Sequence, residues 1–134
     1  MRIIIESIPH TSQRYPTCGD WFYSQDGTLC IKVSEEMGED SCLLVALHEL
    51  LEAKMLAKRG VTVEEVDKFD TEYEKAHREG GTLDGERLDE SEPGDDFGAP
   101  YFEEHQTAQS FENLAARVLD INWAEHAKRV EALP

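Results

Sequence analysis

The chain has 134 residues, 40% of them hydrophobic and 31% charged, which suits a single domain spanning residues 1–134. Its 29 acidic and 13 basic residues leave a formal net charge of −16, which disfavours binding to nucleic-acid phosphates, although an acidic mimic of nucleic acid stays an alternative. Three cysteines without a Cys-x-x-Cys spacing indicate reduced thiols. Neither a signal peptide nor a membrane-spanning run is recognisable. We therefore expect a cytoplasmic protein without membrane contact.

The N-terminal third of the sequence has the composition of β-strands. The isoleucine-rich segment 2–8 predicts a first strand. Residues 21–34 form two strand-like runs around an Asp-Gly dipeptide, which predicts a β-hairpin. In the second run the apolar Leu29, Ile31 and Val33 alternate with other residues, so one face of this strand should be buried.

After the hairpin, the hydrophobic pattern changes to that of helices. A run of helix-forming residues reaches Arg59, and Gly60 is a natural stop. Thr62 followed by Glu65 is typical of a capping box at the start of a second helix. The expected fold is therefore α+β, with an N-terminal strand and a β-hairpin packed against about four helices. These helices are expected at residues 39–59, 62–79, 101–120 and 122–133.

Residues 80–100 separate the second and third helices and are rich in acidic side chains and glycine. This composition is typical of a solvated connector, so we expect an acidic loop that is mobile at least in part. Calcium binding is an alternative, but the ligand spacing of an EF-hand loop is absent.

The most informative motif lies in the first helix, in the segment CLLVALHELLEAKML at residues 42–56. Successive residues of an α-helix are 100° apart, so His48 and Glu52 lie one turn apart on the same face, with Glu49 beside them. The surrounding residues are almost all apolar, which is typical of a buried helix. A buried carboxylate must be paired, protonated or bound to a metal ion.

The order His48-Glu49-Leu50-Leu51-Glu52 resembles the zinc-binding pattern His-Glu-x-x-His, in which the inner Glu acts on the metal-bound water. A carboxylate is an accepted zinc ligand, and two histidines with one glutamate form a known catalytic set. The motif therefore predicts a divalent metal, with zinc as first choice, bound by His48 and Glu52, and Glu49 as the catalytic base.

A third ligand is expected from the helix over residues 101–120. His105 lies near its start, and small alanines on the same face would let this helix approach another one closely. His105 is therefore predicted to complete the metal site. Glu112 lies two turns further on, about 10 Å along the axis, and is better placed to orient a ligand by a hydrogen bond than to bind the ion itself.

Simpler interpretations of the same residues stay open. The three ionisable groups could form a narrow solvated stripe, and Glu52 could pair with Lys58 or Arg59. His10 is the best substitute if His105 does not reach the site. His77 and His126 have no clear partner in the sequence, so we expect ordinary structural roles for them.

Several segments, ALHELLEA, RGVT, VDKFD, EPGDD and APYFEEH, together resemble a family of small phage and prophage proteins without an assigned activity. The resemblance covers most of the chain. It implies a viral or prophage origin and, with it, the cytoplasm of a host cell.

A β-hairpin followed at once by a His-Glu helix is also similar to minimal zincin metalloproteases. That resemblance implies that His48 and Glu52 are the first two metal ligands, that Glu49 is the general base and that His105 is the third ligand. It further implies that the strand in residues 27–34 is a sheet edge that binds an extended peptide by strand addition. The chain has Glu52 where zincins have His, which makes the metal less positive and its water a weaker nucleophile.

Three functions are consistent with these features. The first is a metal-dependent hydrolase of peptide or amide bonds. The second is a metal phosphohydrolase, because ALHELLEA also resembles the His-Asp helix of that class, with His10 and either Asp67 or Asp70 as further ligands. The third is a non-enzymatic acidic adaptor that binds a host or phage protein, in which the acidic loop steers association and His48 with Glu52 is a buried structural pair. Nothing in the sequence indicates an oligomeric state.

Overall fold

A three-stranded sheet and four helices make up the architecture of the chain, as given by a computed structural model that describes residues 1–78, 82–83, 86–87 and 92–134. The expected α+β class is confirmed. The strands are β1 (Ile3–Ile8), β2 (Gly19–Tyr23), β3 (Leu29–Ser34), β4 (Thr82–Leu83) and β5 (Glu86–Arg87). The helices are α1 (Glu39–Arg59), α2 (Val63–Arg78), α3 (Phe102–Val118) and α4 (Trp123–Glu131), with short 3-10 turns at His10–Ser12, Glu35–Met37 and Pro93–Asp95.

The sheet has the order β1-β3-β2, in which β3 pairs in parallel with β1 and antiparallel with β2. The predicted hairpin is therefore formed by β2 and β3. Leu29, Ile31 and Val33 are all buried, as their alternation predicts. Gly27 lies in the connecting turn with φ of 83°, a conformation that glycine adopts without the steric cost of a side chain.

The position of β3 corrects one expectation taken from the zincin resemblance. Because β3 has a partner on both sides, it is the central strand and offers no edge to a peptide. Within the described residues, β1 and β2 are the edge strands of this sheet, and α1 packs against both β2 and β3.

Helix α1 is the centre of the fold, since it packs against the sheet and against α3. Glu39 and Asp40 in its first turn, together with basic residues in its last turn, complement the helix dipole. Gly60 ends the helix in the left-handed conformation, with φ of 77°. Leu44 and Leu56 of α1 are fully buried and anchor it in the core.

The predicted capping box at Thr62 is confirmed, and a second helix cap is present at Asn122. Glu65 N–H donates to Thr62 Oγ1 at 3.2 Å and Thr62 N–H donates to a Glu65 carboxylate oxygen at 2.9 Å, which is a complete capping box. Asn122 Oδ1 accepts from the N–H of Glu125 at 3.0 Å and caps α4. The two caps determine the residues at which α2 and α4 begin.

The acidic loop predicted over residues 80–100 is described only in part, and its expected mobility at 80–81, 84–85 and 88–91 lies outside the described residues. Part of its end packs against the rest of the protein. Gly94 is buried and packs so closely on His105 that a Cβ atom there would lie 2.4 Å from the ring carbon Cγ. In the described part of the chain, no helix is both long and apolar enough to span a membrane.

Candidate metal centre

Three side chains from two helices converge at the α1–α3 interface. His48 Nε2, His105 Nδ1 and Glu52 Oε2 lie 3.2 Å from one another in every pairwise combination. All three residues are buried, with relative exposures of 6%, 6% and 4% for His48, His105 and Glu52. The structure therefore brings together the three residues that the sequence predicts as metal ligands.

Local structure explains this convergence. His48 and Glu52 are one turn apart on α1. His105 lies near the start of α3, and the backbone at Gly94 packs directly on the His105 ring. Ala108, one turn further along α3, is fully buried, and its small side chain permits close approach of the two helices. Trp21 of β2 donates its indole N–H to Glu52 Oε1 at 3.3 Å, which leaves Oε2 to face the histidines.

The simpler interpretations of the motif are wrong for these residues. His48 and Glu52 are buried, so they are not part of a solvated stripe. Arg59 does not pair with Glu52, because its guanidinium donates to the Glu104 carboxylate at 2.5 and 2.9 Å and to the carbonyl oxygen of Pro100.

Protons can satisfy at most two of the three contacts in this triangle of ligand atoms. The ionised Glu52 oxygen only accepts, and each histidine nitrogen donates only if it carries a proton. If both nitrogens are protonated, two donors face each other across 3.2 Å; if one is not, two acceptors face each other. One cation between the three atoms would use all three lone pairs at once.

The electrostatics of the cluster favour a positive charge at its centre. Burial alone would lower the pKa of His48, but hydrogen bonds to the carboxylates of Glu112 and Glu52 outweigh it and raise the pKa to about 11. Burial would raise the pKa of Glu52, but hydrogen bonds from His105 and His48 outweigh it and lower the pKa to about 2. The site thus holds an anion that keeps a proton on a neighbouring ring.

The spacing and chemistry of the donors fit a small divalent ion. Ligand atoms about 2.0–2.1 Å from a tetrahedral zinc ion lie about 3.3 Å apart, close to the 3.2 Å of the triangle. Three protein ligands of this kind leave one position free, as in catalytic zinc sites. Among the residues that the structure describes, His48, Glu52 and His105 form one of two groups whose spacing suits a metal.

A hydrogen-bonded chain supports the outer side of His48. Glu112, which the sequence predicts as an orienting residue, accepts from His48 Nδ1 at 2.9 Å. Its second oxygen lies 2.5 Å from His126 Nε2, and His126 Nδ1 lies 2.9 Å from Ser41 Oγ. Carboxylates that hold the second nitrogen of a ligand histidine fix its tautomer and its orientation.

His126 is the participant that the sequence analysis missed. It is only 2% exposed, although the sequence suggested an ordinary structural position near the C-terminus. One signal was available, because Trp123, His126 and Val130 share a stripe on α4, and Val130 packs against the core. His126 and His48 together hold the pKa of Glu112 below its usual value, although burial alone would raise it.

Glu49 lies beside the triangle, on the wall of the cavity into which the cluster opens, and is partly buried. Its pKa is raised well above the usual value, first by burial and second by the negative charge of Glu52. Its side chain packs on Gly19 of β2, where a Cβ atom would lie 2.9 Å from the Glu49 side chain. A glycine at this position therefore gives Glu49 its place between sheet and cluster.

The cluster opens into a cavity of about 530 Å³, a volume typical of small-molecule and peptide pockets. The wall formed by α2 carries Asp70, which accepts hydrogen bonds from the hydroxyls of Tyr101 and Tyr15. Burial, aided by the charge of Glu52, raises the pKa of Asp70 to about 7 against the effect of these two donors. Asp70 is thus a carboxyl group of the cavity that titrates near neutrality.

Of the residues proposed for a phosphohydrolase site, Asp70 lines the cavity and accepts from two tyrosines, whereas His10 and Asp67 have partners outside the cluster. His10 contacts Ser34 Oγ and the carbonyl oxygen of Pro134, each at 2.9 Å. Asp67 accepts from Arg14 at 2.9 Å. The substitute role considered for His10 is therefore not needed, and the side chain of His77 lies outside the described residues.

Comparisons with family models, with curated proteins and with solved structures each give no match. The resemblances to small phage proteins and to zincins therefore stay predictions.

Proposed function

We propose that His48, Glu52 and His105 bind a divalent metal ion, with zinc as first choice, and that the protein is a metal-dependent hydrolase of peptide or amide bonds. The observation that carries the proposal is the buried triangle of ligand atoms, 3.2 Å on each side, in which protons can satisfy at most two of the three contacts. Its opening into a cavity of about 530 Å³ gives a substrate access to the fourth metal position.

The residues around the site suit hydrolysis. A bound zinc ion would supply Lewis acidity and an activated water. Glu49 would accept the proton of that water and return it to the leaving nitrogen, a task for which a carboxyl group of raised pKa is suited. Glu112 would keep the Nδ1 proton on His48, so that Nε2 stays free for the metal.

A peptide is the preferred substrate class because of the edge strand. Gly19, Asp20 and Trp21 of β2 line the cavity that contains the cluster. An extended peptide added to an open strand edge would receive main-chain hydrogen bonds next to the metal. In this proposal β2 takes the peptide-binding role that the sequence had suggested for β3, because β3 has partners on both sides.

The first experiment measures metal content. Purified protein incubated with Zn²⁺ and dialysed should hold at least one equivalent of zinc, and His48→Ala should hold one equivalent fewer, whereas the matched variant His10→Ala should keep the wild-type content because His10 lies outside the cluster. Zinc at 100 times its Kd should stabilise the wild type by about 2.7 kcal/mol, a shift that calorimetry can follow. A wild-type protein that binds neither zinc nor manganese would refute the proposal.

The second experiment separates catalysis from binding. Glu49→Gln should keep the metal but lose hydrolysis of a fluorogenic peptide library, while Glu64→Gln, an exposed position on α2, should leave both unchanged. If the wild type binds metal yet cleaves no peptide, and Glu49→Gln behaves like it in every assay, the adaptor interpretation replaces the hydrolase. Release of phosphate from a phosphomonoester instead would favour a phosphohydrolase.

A further inference from the structure

We infer that the ring of His105 bridges two metal ions as an imidazolate, with its N–H proton released to solvent and a second divalent transition-metal ion bound by His105 Nε2, Glu92 and Asp95. This inference extends the proposed function, because it places a further ion on the outer nitrogen of one proposed ligand. The three residues form the second group in the described chain whose spacing suits a metal.

The outer nitrogen of His105 is the observation that points to a ligand. It is buried and has no hydrogen-bond partner, although the residue as a whole is only 6% exposed. Glu92 Oε2 and Asp95 Oδ1 lie 3.6 and 3.7 Å from it, too far for a hydrogen bond. Donor atoms that share one ion at about 2.1 Å lie about 3–4 Å apart, so these distances suit a shared ion.

The backbone between the two carboxylates is built to hold them on either side of the ring. Glu92 precedes and Asp95 ends the short turn Pro93–Asp95, with Gly94 between them. A Cβ atom at Gly94 would lie 2.4–2.7 Å from three ring atoms of His105, so only glycine allows the turn to lie this close. Gln106 donates to Asp95 Oδ1 at 3.0 Å and orients that carboxylate.

The donor set selects the kind of ion. One imidazole nitrogen with two carboxylate oxygens suits Zn²⁺ or Mn²⁺, whereas Ca²⁺ is bound by oxygen donors alone. The side chain of Glu92 is 52% exposed, so the second ion should exchange more readily than an ion in the buried triangle.

The distance between the two ions limits what the second one does. Ions on opposite nitrogens of one imidazole ring are about 6 Å apart, more than the ~4 Å at which two metals act jointly on one substrate. The second ion would instead neutralise the two carboxylates and fasten the turn at Gly94 over the first site.

The competing explanation is that Glu92 and Asp95 share a proton held on His105 Nε2, as carboxylates behind metal-bound histidines commonly do. The two explanations predict different stoichiometries. With a bridging ring the protein binds two ions, and with a shared proton it binds one.

The test counts ions by elemental analysis and by titration with Zn²⁺ and with Mn²⁺. The wild type should bind two equivalents, and the double variant Glu92→Gln/Asp95→Asn should bind one with the affinity of the tighter wild-type site. Glu103→Gln, an exposed change on α3, should retain two. Anomalous diffraction from zinc-loaded crystals should show two peaks about 6 Å apart across the His105 ring.

The outcomes separate this inference from the proposed function. One equivalent in the wild type, unchanged in the double variant but lost in Glu52→Gln, would overturn the second site and leave the first. One equivalent that is lost in the double variant but kept in Glu52→Gln would support the outer site and overturn the triangle. Absence of both metals from the wild type would overturn both.

Discussion

Replacing Glu112 by Gln tests how far the chain behind His48 controls the proposed metal site. Glu112 accepts from His48 Nδ1 at 2.9 Å and lies 2.5 Å from His126 Nε2. Glutamine preserves the shape of the side chain but carries no charge, and its amide NH₂ cannot accept. His126 can adapt by moving its proton to Nδ1, which lies 2.9 Å from Ser41 Oγ, so we expect the variant to fold.

The expected effect on metal binding follows from what the carboxylate does. It increases the basicity of His48 and fixes the tautomer that leaves Nε2 free. Loss of such an outer partner usually weakens metal binding about 10–100-fold, or about 1.4–2.8 kcal/mol. The hydrogen bond from His48 would persist through the amide oxygen, so the lower half of this range is the better expectation.

Competition for Zn²⁺ with a chromophoric chelator measures the change in Kd directly. Glu103→Gln removes the same charge from an exposed position on α3 and controls for the general electrostatic effect. If Glu112→Gln and Glu103→Gln bind zinc with equal affinity, the hydrogen-bonded chain has no influence on the site, and its assignment as a support for the metal is refuted.

Three further predictions concern titration and packing. Zinc binding above pH 7 should release a proton, because the carboxylates around His48 raise its pKa to about 11 in the metal-free protein; calorimetry in buffers of different ionisation enthalpy would show no release if this is wrong. Because burial raises the pKa of Asp70 to about 7, its charge destabilises the fold increasingly from about pH 4 to 7, and Asp70→Asn should raise the free energy of unfolding at pH 8 by at most about 4 kcal/mol while leaving it unchanged at pH 3. Leu44→Ala, at a fully buried position of α1, should cost about 2–5 kcal/mol in urea unfolding, whereas Leu43→Ala, at a position that is 46% exposed, should cost under about 1 kcal/mol.

The parts of the fold that local sequence determines were predictable. The alternation at Leu29, Ile31 and Val33, the stop at Gly60 and the cap at Thr62 each depend on neighbouring residues only, and the structure confirms them. The order of the strands was not predictable in this way. A hairpin signal shows which strands pair antiparallel but says nothing about a distant strand, so the parallel pairing of β1 with β3 was missed.

The same division applies to the candidate site. The spacing of His48 and Glu52 on one helix is a local property and could be recognised in the sequence. The approach of His105 required a second helix but had a signal in the alanines around it. His126 lies 85 positions from Ser41 along the chain, and Glu92 is brought to the site by a glycine turn that packs on a ring. Such contacts depend on tertiary packing, for which a single sequence carries little information.

The pKa values of the cluster explain why a proton and a metal ion would compete for one position. The pKa of His48 is raised from 6.5 to about 11, so in the metal-free protein its proton stabilises the fold fully below pH 6.5 and progressively less up to pH 11. The pKa of Glu52 is lowered to about 2, so its charge contributes stability above pH 4.5 that is lost as the pH falls towards 2. A metal ion needs the ionised Glu52 and a His48 whose Nε2 carries no proton. The apparent affinity of the site for the metal therefore increases as the pH rises. Glu52, whose Oε2 lies 3.2 Å from His48 Nε2 and helps to hold the proton in the metal-free protein, is also the carboxylate that would hold the cation.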